Sequence, residues 1–296
     1  MLGETLALLA AVAYGCAGVS IVHSKTTAQG DNGVFLSVVI TLIASGVLWL
    51  GWGTTSAVTL KSAEGLWAAA FFALAGFASN IFGRQAMYRA TEKIGAVRAG
   101  LLRRLIPVFA LPCAYMLLSQ IPNWRTVLGG AIVIAGVVFY MRPSLKLSRT
   151  LPSIGVVLGL LSAAAYALAY CLRAAGLHTV PDAALGTLIG ASIAVFWFMN
   201  ATMVRHGVRQ GFWYLTSDRT PAHWRTAIAL SAGQLLQFFA LKSTSVATVA
   251  ILGSLEVLFS AALVLLVSRC EAVAVVSRML WKFPGGALRA YEESVF

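Results

Sequence analysis

Acidic residues are scarce. Asp and Glu number 10 among 296 residues, and all charged residues together make up 11% of the chain. A soluble domain needs roughly 25% charged residues to cover its surface, so a water-facing globular domain is excluded. Cysteine is equally thin. Cys16, Cys113, Cys171 and Cys270 stand far apart, with no CxxC and no histidine at zinc-ligand spacing, which argues against a structural metal or a disulfide framework. The four histidines, His23, His178, His206 and His223, fall at or near the ends of apolar runs and read as loop or interface residues. No glycine-rich loop ending in Gly-Lys-Ser or Gly-Lys-Thr occurs, so direct use of ATP through a P-loop is not expected. A cleavable leader is not expected either. The first segment lacks a basic start, and Tyr14 is too bulky for a lipoprotein cleavage site before Gly15-Cys16, so the run reads as a retained helix.

Apolar residues are abundant. They form 59% of the chain, and the mean hydropathy is +0.83. A spanning helix needs about 20 mainly apolar residues. Nine such segments are expected, at 4–23, 33–53, 66–88, 96–119, 125–141, 153–173, 183–204, 223–242 and 245–268. The excess of 22 Lys and Arg over the acids gives a net charge of +12. These cations are scattered among apolar runs, which suits anchors to anionic headgroups rather than a nucleic-acid surface. Gly129, Gly130 and Gly136 in the fifth segment, and Gly186 and Gly190 in the seventh, would let helix backbones approach closely. Beyond residue 270, Arg278, Lys282, Pro284 and Arg289 interrupt the chain, and no run of lipid length remains. That tail reads either as an interfacial segment or as a degraded tenth helix.

An internal repeat organises the segments. Leu6–Ala17 aligns with Leu158–Ala169 at an offset of 152, with seven of twelve positions identical and Tyr14 on Tyr166. Ile106-Pro107-Val108-Phe109 aligns with Glu256-Val257-Leu258-Phe259 at an offset of 150. Near-equal offsets at both ends imply one duplicated unit. The polar stretch from Arg142 to Pro152, bracketed by prolines, is the junction. A unit of five spans enters and leaves on opposite sides of the membrane, so its copy must run upside down. Such inverted repeats are common in secondary transporters, with the binding site near the midplane.

The opening Leu6–Tyr14 with its repeat, the stretches Gly95–Ala110 and Leu128–Val137, and Ser245–Phe259 resemble the ten-helix EamA-type transporters of the drug/metabolite transporter superfamily. The resemblance runs nearly to residue 270 and says nothing of cargo. It implies an all-α polytopic membrane protein built as an inverted repeat of two five-helix bundles, with nine clear transmembrane helices and a degenerate tenth. The expected units are a first repeat at 1–141, a linker at 142–152, a second repeat of four clear helices at 153–270, and an atypical tail at 271–296. The chain departs from the family at three places: Gln120 replaces its acidic residue, Val257 its second-half proline, and the tenth helix is unrecognisable. A multi-pass protein of the bacterial inner membrane is the expected setting. Lys and Arg crowd the loops after odd-numbered segments, which places the N-terminus outside, whereas the resemblance implies cytoplasmic termini.

Ionisable groups at bilayer depth cost at least ~2.5–3.5 kcal/mol and need a reason. Asn80, Arg84 and Tyr88 share a helix face by their spacing of four. Arg84 either looks inward or snorkels to the headgroups, and Arg89 and Arg98 read as snorkelling. Arg103 and Arg104 precede Pro107, which should kink the fourth segment and free the Arg103 carbonyl. One of the two arginines is expected as a cavity ligand and the other as a partner of Glu256 or a carbonyl. Tyr166, Tyr170 and Arg173 share a face of the sixth segment, and Gln234 and Gln237 share one of the eighth. Glu256 is the one carboxylate well inside a span, and the place for proton coupling. The candidate cavity is therefore Tyr14, Asn80, Arg84, Arg103, Arg104, Tyr166, Tyr170, Gln234, Gln237 and Glu256.

Small multidrug-resistance relatives bind cations through a carboxylate in their first helix. Glu4 lies too near the chain start for that role, and the embedded arginines disfavour a lipophilic cation. A small polar metabolite, such as an amino acid or organic acid, suits guanidinium donors. The expected activity is export or permeation of that solute by alternating access, with the lipid bilayer as the other partner and no cofactor or metal. Two other readings stand beside it: a non-transporting scaffold or relic, and a membrane-embedded enzyme. The enzyme would need clustered catalytic groups around Glu256.

Overall fold

The apolar segments fold as helices because lipid offers no partner for backbone N–H and C=O groups, which must then bond within the segment. The structure, a computed structural model, describes residues 1–55, 61–146, 153–256, 258–260 and 262–263, and it holds no strand among them. Val257, Cys270 and the tail at 271–296 lie outside the described residues. So does most of the expected linker, although its first residues, 142–146, are helical.

The helices in chain order are α1 (Leu2–Lys25), α2 (Val34–Trp52), α3 (Ala63–Gly76), a π-helical turn (Phe77–Gly83), α4 (Arg84–Ile94), α5 (Ala96–Arg103) and α6 (Ile106–Leu118). They continue with α7 (Trp124–Lys146), α8 (Ser153–Thr179), α9 (Ala183–His206), α10 (Val208–Thr216), α11 (Pro221–Ser243) and α12 (Val246–Gly253). Six stretches are long and apolar enough to cross a membrane: Leu2–Lys25, Val34–Trp52, Ala63–Ile94, Arg98–Leu118, Ile154–Thr179 and Ala183–His206. The expected fifth and ninth segments hold shorter apolar helices, Val127–Gly136 and Val246–Ser260. The eighth corresponds to α11, whose 23 residues include Arg225, Gln234, Gln237 and Lys242. Helix α10 was not expected. It sits where residues 205–222 read as a loop, with Phe212 and Trp213 exposed and Leu215 buried.

All of these elements lie in one compact unit, Met1–Ser260, while Ala261–Phe296 is a separate unit. Within the first unit α1 packs along α11, and α2 packs against α9 and α11. Helix α8 packs against α3, the π turn, α4 and α6, while α12 touches α1, α6 and α7. The core is rich in alanine (Ala7, Ala10, Ala11, Ala17, Ala163, Ala167), whose small side chains let backbones approach where no hydrophobic drive separates helix from lipid. The closest approach is between α3 and α9, where a Cβ at Gly76 would overlap the Gly190 Cα. Gly186 faces the rings of Phe72 and Phe238. On α7, among the described residues, Gly129 and Gly136 have nothing within 4 Å, and Gly130 meets Ile251 at 3.7 Å. That helix lies at the edge of the bundle, with Ile132 and Phe139 exposed.

Caps fix the two ends of the bundle. Asp31 accepts from the amides of Gly33 and Phe35 at the start of α2, and Gly33 takes the left-handed φ of 76° that this entry requires. Asp218, before α11, accepts from the amides of Gln29, Gly30 and Asn32, at 2.6–3.3 Å. The α1–α2 and α10–α11 connections are thereby tied together. At the other end of α2, Asp182 caps α9 through the Leu185 amide and also accepts from Thr54 and Thr55. His223 corrects the loop or interface expectation. It lies at a helix start but is fully buried, and its Nδ1 meets the Thr220 backbone and hydroxyl in a capping box.

Candidate functional site

Two helices break inside the bundle, and the breaks meet. Between α5 and α6 the chain makes tight turns, with Arg104 donating to Leu101 and Leu105 to Leu102. After α12 the same pattern recurs: Ser254 donates to Ile251 and Leu255 to Leu252, each 150 positions further on. The expected kink at Pro107 is corrected on this geometry. Pro107 stands in the first turn of α6, where no donor is needed, so the helix ends and restarts instead of bending through it. The second break occurs with valine at position 257, so proline is not what ends the helix there.

A broken helix leaves carbonyls without amide partners, and arginines fill them here. Arg104 donates from Nε to the Gly100 carbonyl at 3.0 Å and from Nη1 to the Gly253 carbonyl across the bundle. Its Nη2 lies 3.0 Å from Glu256. Arg103 Nη1 reaches both Glu256 oxygens, at 2.9 and 3.1 Å. Both arginines thus hold the same carboxylate. Neither stands free as a cavity ligand in this state. The Arg103 guanidinium also lies over two rings, 5.2 Å from Tyr14 and 4.9 Å from Tyr166, a cation–π arrangement that strengthens away from water. A cavity of about 10 Å³ beside Tyr14, Arg103, Tyr170, Gln237 and Glu256 has room for one water.

The π turn builds the rest. Its wider ring breaks the α register, a feature frequent at functional sites, and Ser79 and Asn80 each meet an arginine. Asn80 Oδ1 accepts from Arg84 Nη2 at 3.1 Å, while the Asn80 amide donates to the Gly190 carbonyl. Arg84 further donates to Ser37 Oγ at 2.8 Å and to Gln234 Oε1. It is 1% exposed, so of its two readings, snorkelling is excluded. Arg89 and Arg98 are exposed.

Arg173 shares a face with Tyr166 and Tyr170 but stood outside the expected cavity. It donates to Ser79 Oγ at 2.7 Å and to Gln237 Oε1 at 3.1 Å, lies 4.7 Å over the Phe238 ring, and is 1% exposed. The expected sixth segment stopped at residue 173, which put Arg173 at its very end. Helix α8 runs on to Thr179 and carries Arg173 inside. Its signal was present in the shared face with Tyr166 and Tyr170. Ser37 and Ser79, by contrast, are single serines in apolar helices and carry no sequence signal. Gln237 joins the two groups: its amide donates to the Tyr170 hydroxyl, and its carbonyl accepts from Tyr14 at 3.4 Å. The ten candidate residues and Arg173 are all buried; Asn80, Arg84 and Gln234 form one bonded group, and the others join a second through Gln237, Tyr14 and Arg103.

A wider opening lies toward the end of the bundle where α1 ends. It holds about 370 Å³ among α1, α4, α9 and α10, lined by Lys25, Asp31, Gln85, Tyr88, Arg89 and Arg205 among others. Lys25 there pairs with Glu92 at 3.5 Å, and Asn32 donates to the same carboxylate at 2.7 Å.

Curated proteins offer no match to this chain. A family model does match, over residues 1–142. That model describes the EamA-like transporter family, and with its long apolar helices the chain is a multi-pass membrane protein.

Proposed function

We propose that the chain is a secondary transporter of a small polar metabolite, an amino acid or organic anion, exported or otherwise moved by alternating access between two inverted halves. The halves are residues 1–141 and 153–270, joined by 142–152, with 271–296 as a tail. The bacterial inner membrane is its setting. The observation that carries this reading is the polar network itself: buried arginines and Glu256, brought together from segments of both halves, at two broken helices in one register. Broken helices and embedded charges are the materials from which transporter sites are made.

The packing supports the inverted relation. Helix α1 packs on α11 as α8 packs on α3 and α4, and α2 packs on α9. Helix α1 ends near Asn32 and the start of α2, through the bond of Ser24 to Asn32. Helix α8 leads into Asp182, which bonds the residues after α2. Copies that end at opposite ends of one helix run antiparallel.

Glu256 is the coupling site in this reading. A proton on it would release Arg103 and Arg104 together and loosen the seam between the broken helices. The test is uptake in proteoliposomes, with labelled amino acids and organic acids under an imposed pH gradient. Accumulation that follows the gradient is expected, and Glu256→Gln should abolish the pH-driven part while leaving solute binding. Lack of accumulation of every solute would overturn the transporter reading; unchanged pH dependence in the variant would remove Glu256 from coupling.

A further inference from the structure

Arg103 and Arg104 share Glu256, but Arg84 and Arg173 share nothing charged. Every hydrogen-bond partner of these two is neutral: Ser37, Asn80 and Gln234 for Arg84, and Ser79 and Gln237 for Arg173. Among the described residues no carboxylate lies within ion-pair distance of either. Each is 1% exposed, and each keeps a buried Nε without a partner. They also stand together. Arg84 bridges Asn80 to Gln234, and Arg173 bridges Ser79 to Gln237. The two guanidiniums are thus adjacent rungs between one π turn and one face of α11. Two buried like charges in adjacent rungs repel each other and lose hydration without an opposing ion.

We infer that Arg84 and Arg173 form the charge-binding point for the cargo, and that this cargo is a small dianion carrying two carboxylates or a phosphoryl group. This inference rests on the transporter reading and deepens it. It separates two jobs that the sequence joins. Arg103, Arg104 and Glu256 close the seam between the broken helices, with an anion supplied by the chain. Arg84 and Arg173 are the cations for which the described residues supply no anion. Guanidinium forks suit both carboxylate and phosphoryl oxygens. The route is drawn on the same element. Gln85 and Tyr88 line the 370 Å³ opening and flank Arg84 on α4, so a solute entering there comes within a helical turn of the first rung.

The test uses the full chain in detergent and in proteoliposomes, with succinate as the dianion probe, acetate as the monoanion and glycine as the zwitterion. Succinate should raise the melting temperature at concentrations at least tenfold below acetate, and glycine should have no effect. Gln237→Glu gives Arg173 a carboxylate of its own. That variant should melt higher than the parent without ligand and lose most of the succinate response. It relieves repulsion, and the Tyr170 hydroxyl, which accepts from the Gln237 amide in the parent, can donate to the new carboxylate, so folding is retained. Arg173→Lys keeps the charge but not the fork, and should retain a weakened response. Equal or weaker stabilisation by succinate than by acetate, or an undiminished response in Gln237→Glu, overturns the dianion site. In the vesicle assay, transport of glycine or another zwitterion with no competition from succinate overturns this inference while the transporter reading stands. Absence of transport for every solute, beside intact succinate binding, sinks the transporter reading and leaves the anion site.

Discussion

A single carboxylate shows how unequal the residues of the network are. Glu256 faces two arginines at 2.9–3.1 Å, and all three are at most 5% exposed. Removing one member of a buried ion pair leaves uncompensated charge and costs about 3–5 kcal/mol, whereas replacing the whole pair with apolar residues is often neutral. Glu256→Ala should therefore destabilise the protein by about that amount, read from thermal or denaturant unfolding in detergent. Arg103→Met and Arg104→Met combined with Glu256→Leu should recover much of the loss, because the whole triad is then replaced. Strictly additive losses in the triple variant would mean that the contacts carry no coupling. The same residues show what was legible beforehand. Charge at bilayer depth is costly wherever it falls, so Arg84, Arg103, Arg104 and Glu256 stood out by type and position alone. Arg173 has the same chemistry and was misplaced because hydropathy fixes a helix end only to within several residues. Ser37 and Ser79 were invisible, since a hydroxyl on an apolar helix ordinarily bonds its own backbone.

Helices and their seams carry the next set of expectations. Gly76 and Gly190 bring α3 and α9 together, and overpacking such a contact costs about 1–3 kcal/mol. Gly76→Ala should lower the melting temperature clearly, while Gly129→Ala and Gly136→Ala on α7 should leave it nearly unchanged. Equal effects at all three positions would contradict the packing described. Glycine counts pointed equally to α7 and α9, because a small residue permits close approach without saying whether a neighbour arrives. The helix break was likewise legible only in part. Pro107 marked its place in the first half, but the second break depends on tertiary contact with Arg104 and has no proline of its own. Helix α10, being short and amphipathic, had no run of lipid length to announce it. The start of α2 adds a pH dependence. Loss of hydration pushes the Asp31 carboxyl up to about 7, against the amide bonds from Phe35 and Gly33, and nearby Asp218 adds to the rise. A carboxyl raised in the folded state binds its proton more tightly there. Its contribution is then greatest below its ordinary value near 4 and is lost as pH climbs through 7. Melting temperature should fall across that window, and Asp31→Asn should flatten the decline. A slope unchanged in the variant would assign the dependence to other groups.

For the molecule as a whole, the decisive question is whether the second half is the first turned over. The offset of 150–152 and the five-span unit argue for it from sequence, and the recurrence of the α5–α6 break after α12 argues for it from geometry. Parity makes the claim concrete. Lys25 ends α1, and His178, one residue past the offset of 152, lies in the last turn of α8; Lys25 is exposed in the structure, and so is His178. In an inverted repeat the two positions face opposite sides of the membrane, whereas in a parallel repeat they face the same side. Single cysteines at the two positions, in a background where the native cysteines are replaced by alanine, separate these cases in oriented vesicles with an impermeant maleimide. Lys25→Cys and His178→Cys should label from opposite faces. Labelling of both from one face would remove the inverted relation and the rocking motion built on it. The polar network would then need a different account, because two halves facing the same way cannot exchange access to one central site by rocking about it. The same labelling reports motion. With succinate present, cysteines placed at Thr202, which lines the wide opening, should lose reactivity as that end closes over the bound ion, and Lys25→Cys at the rim should change less.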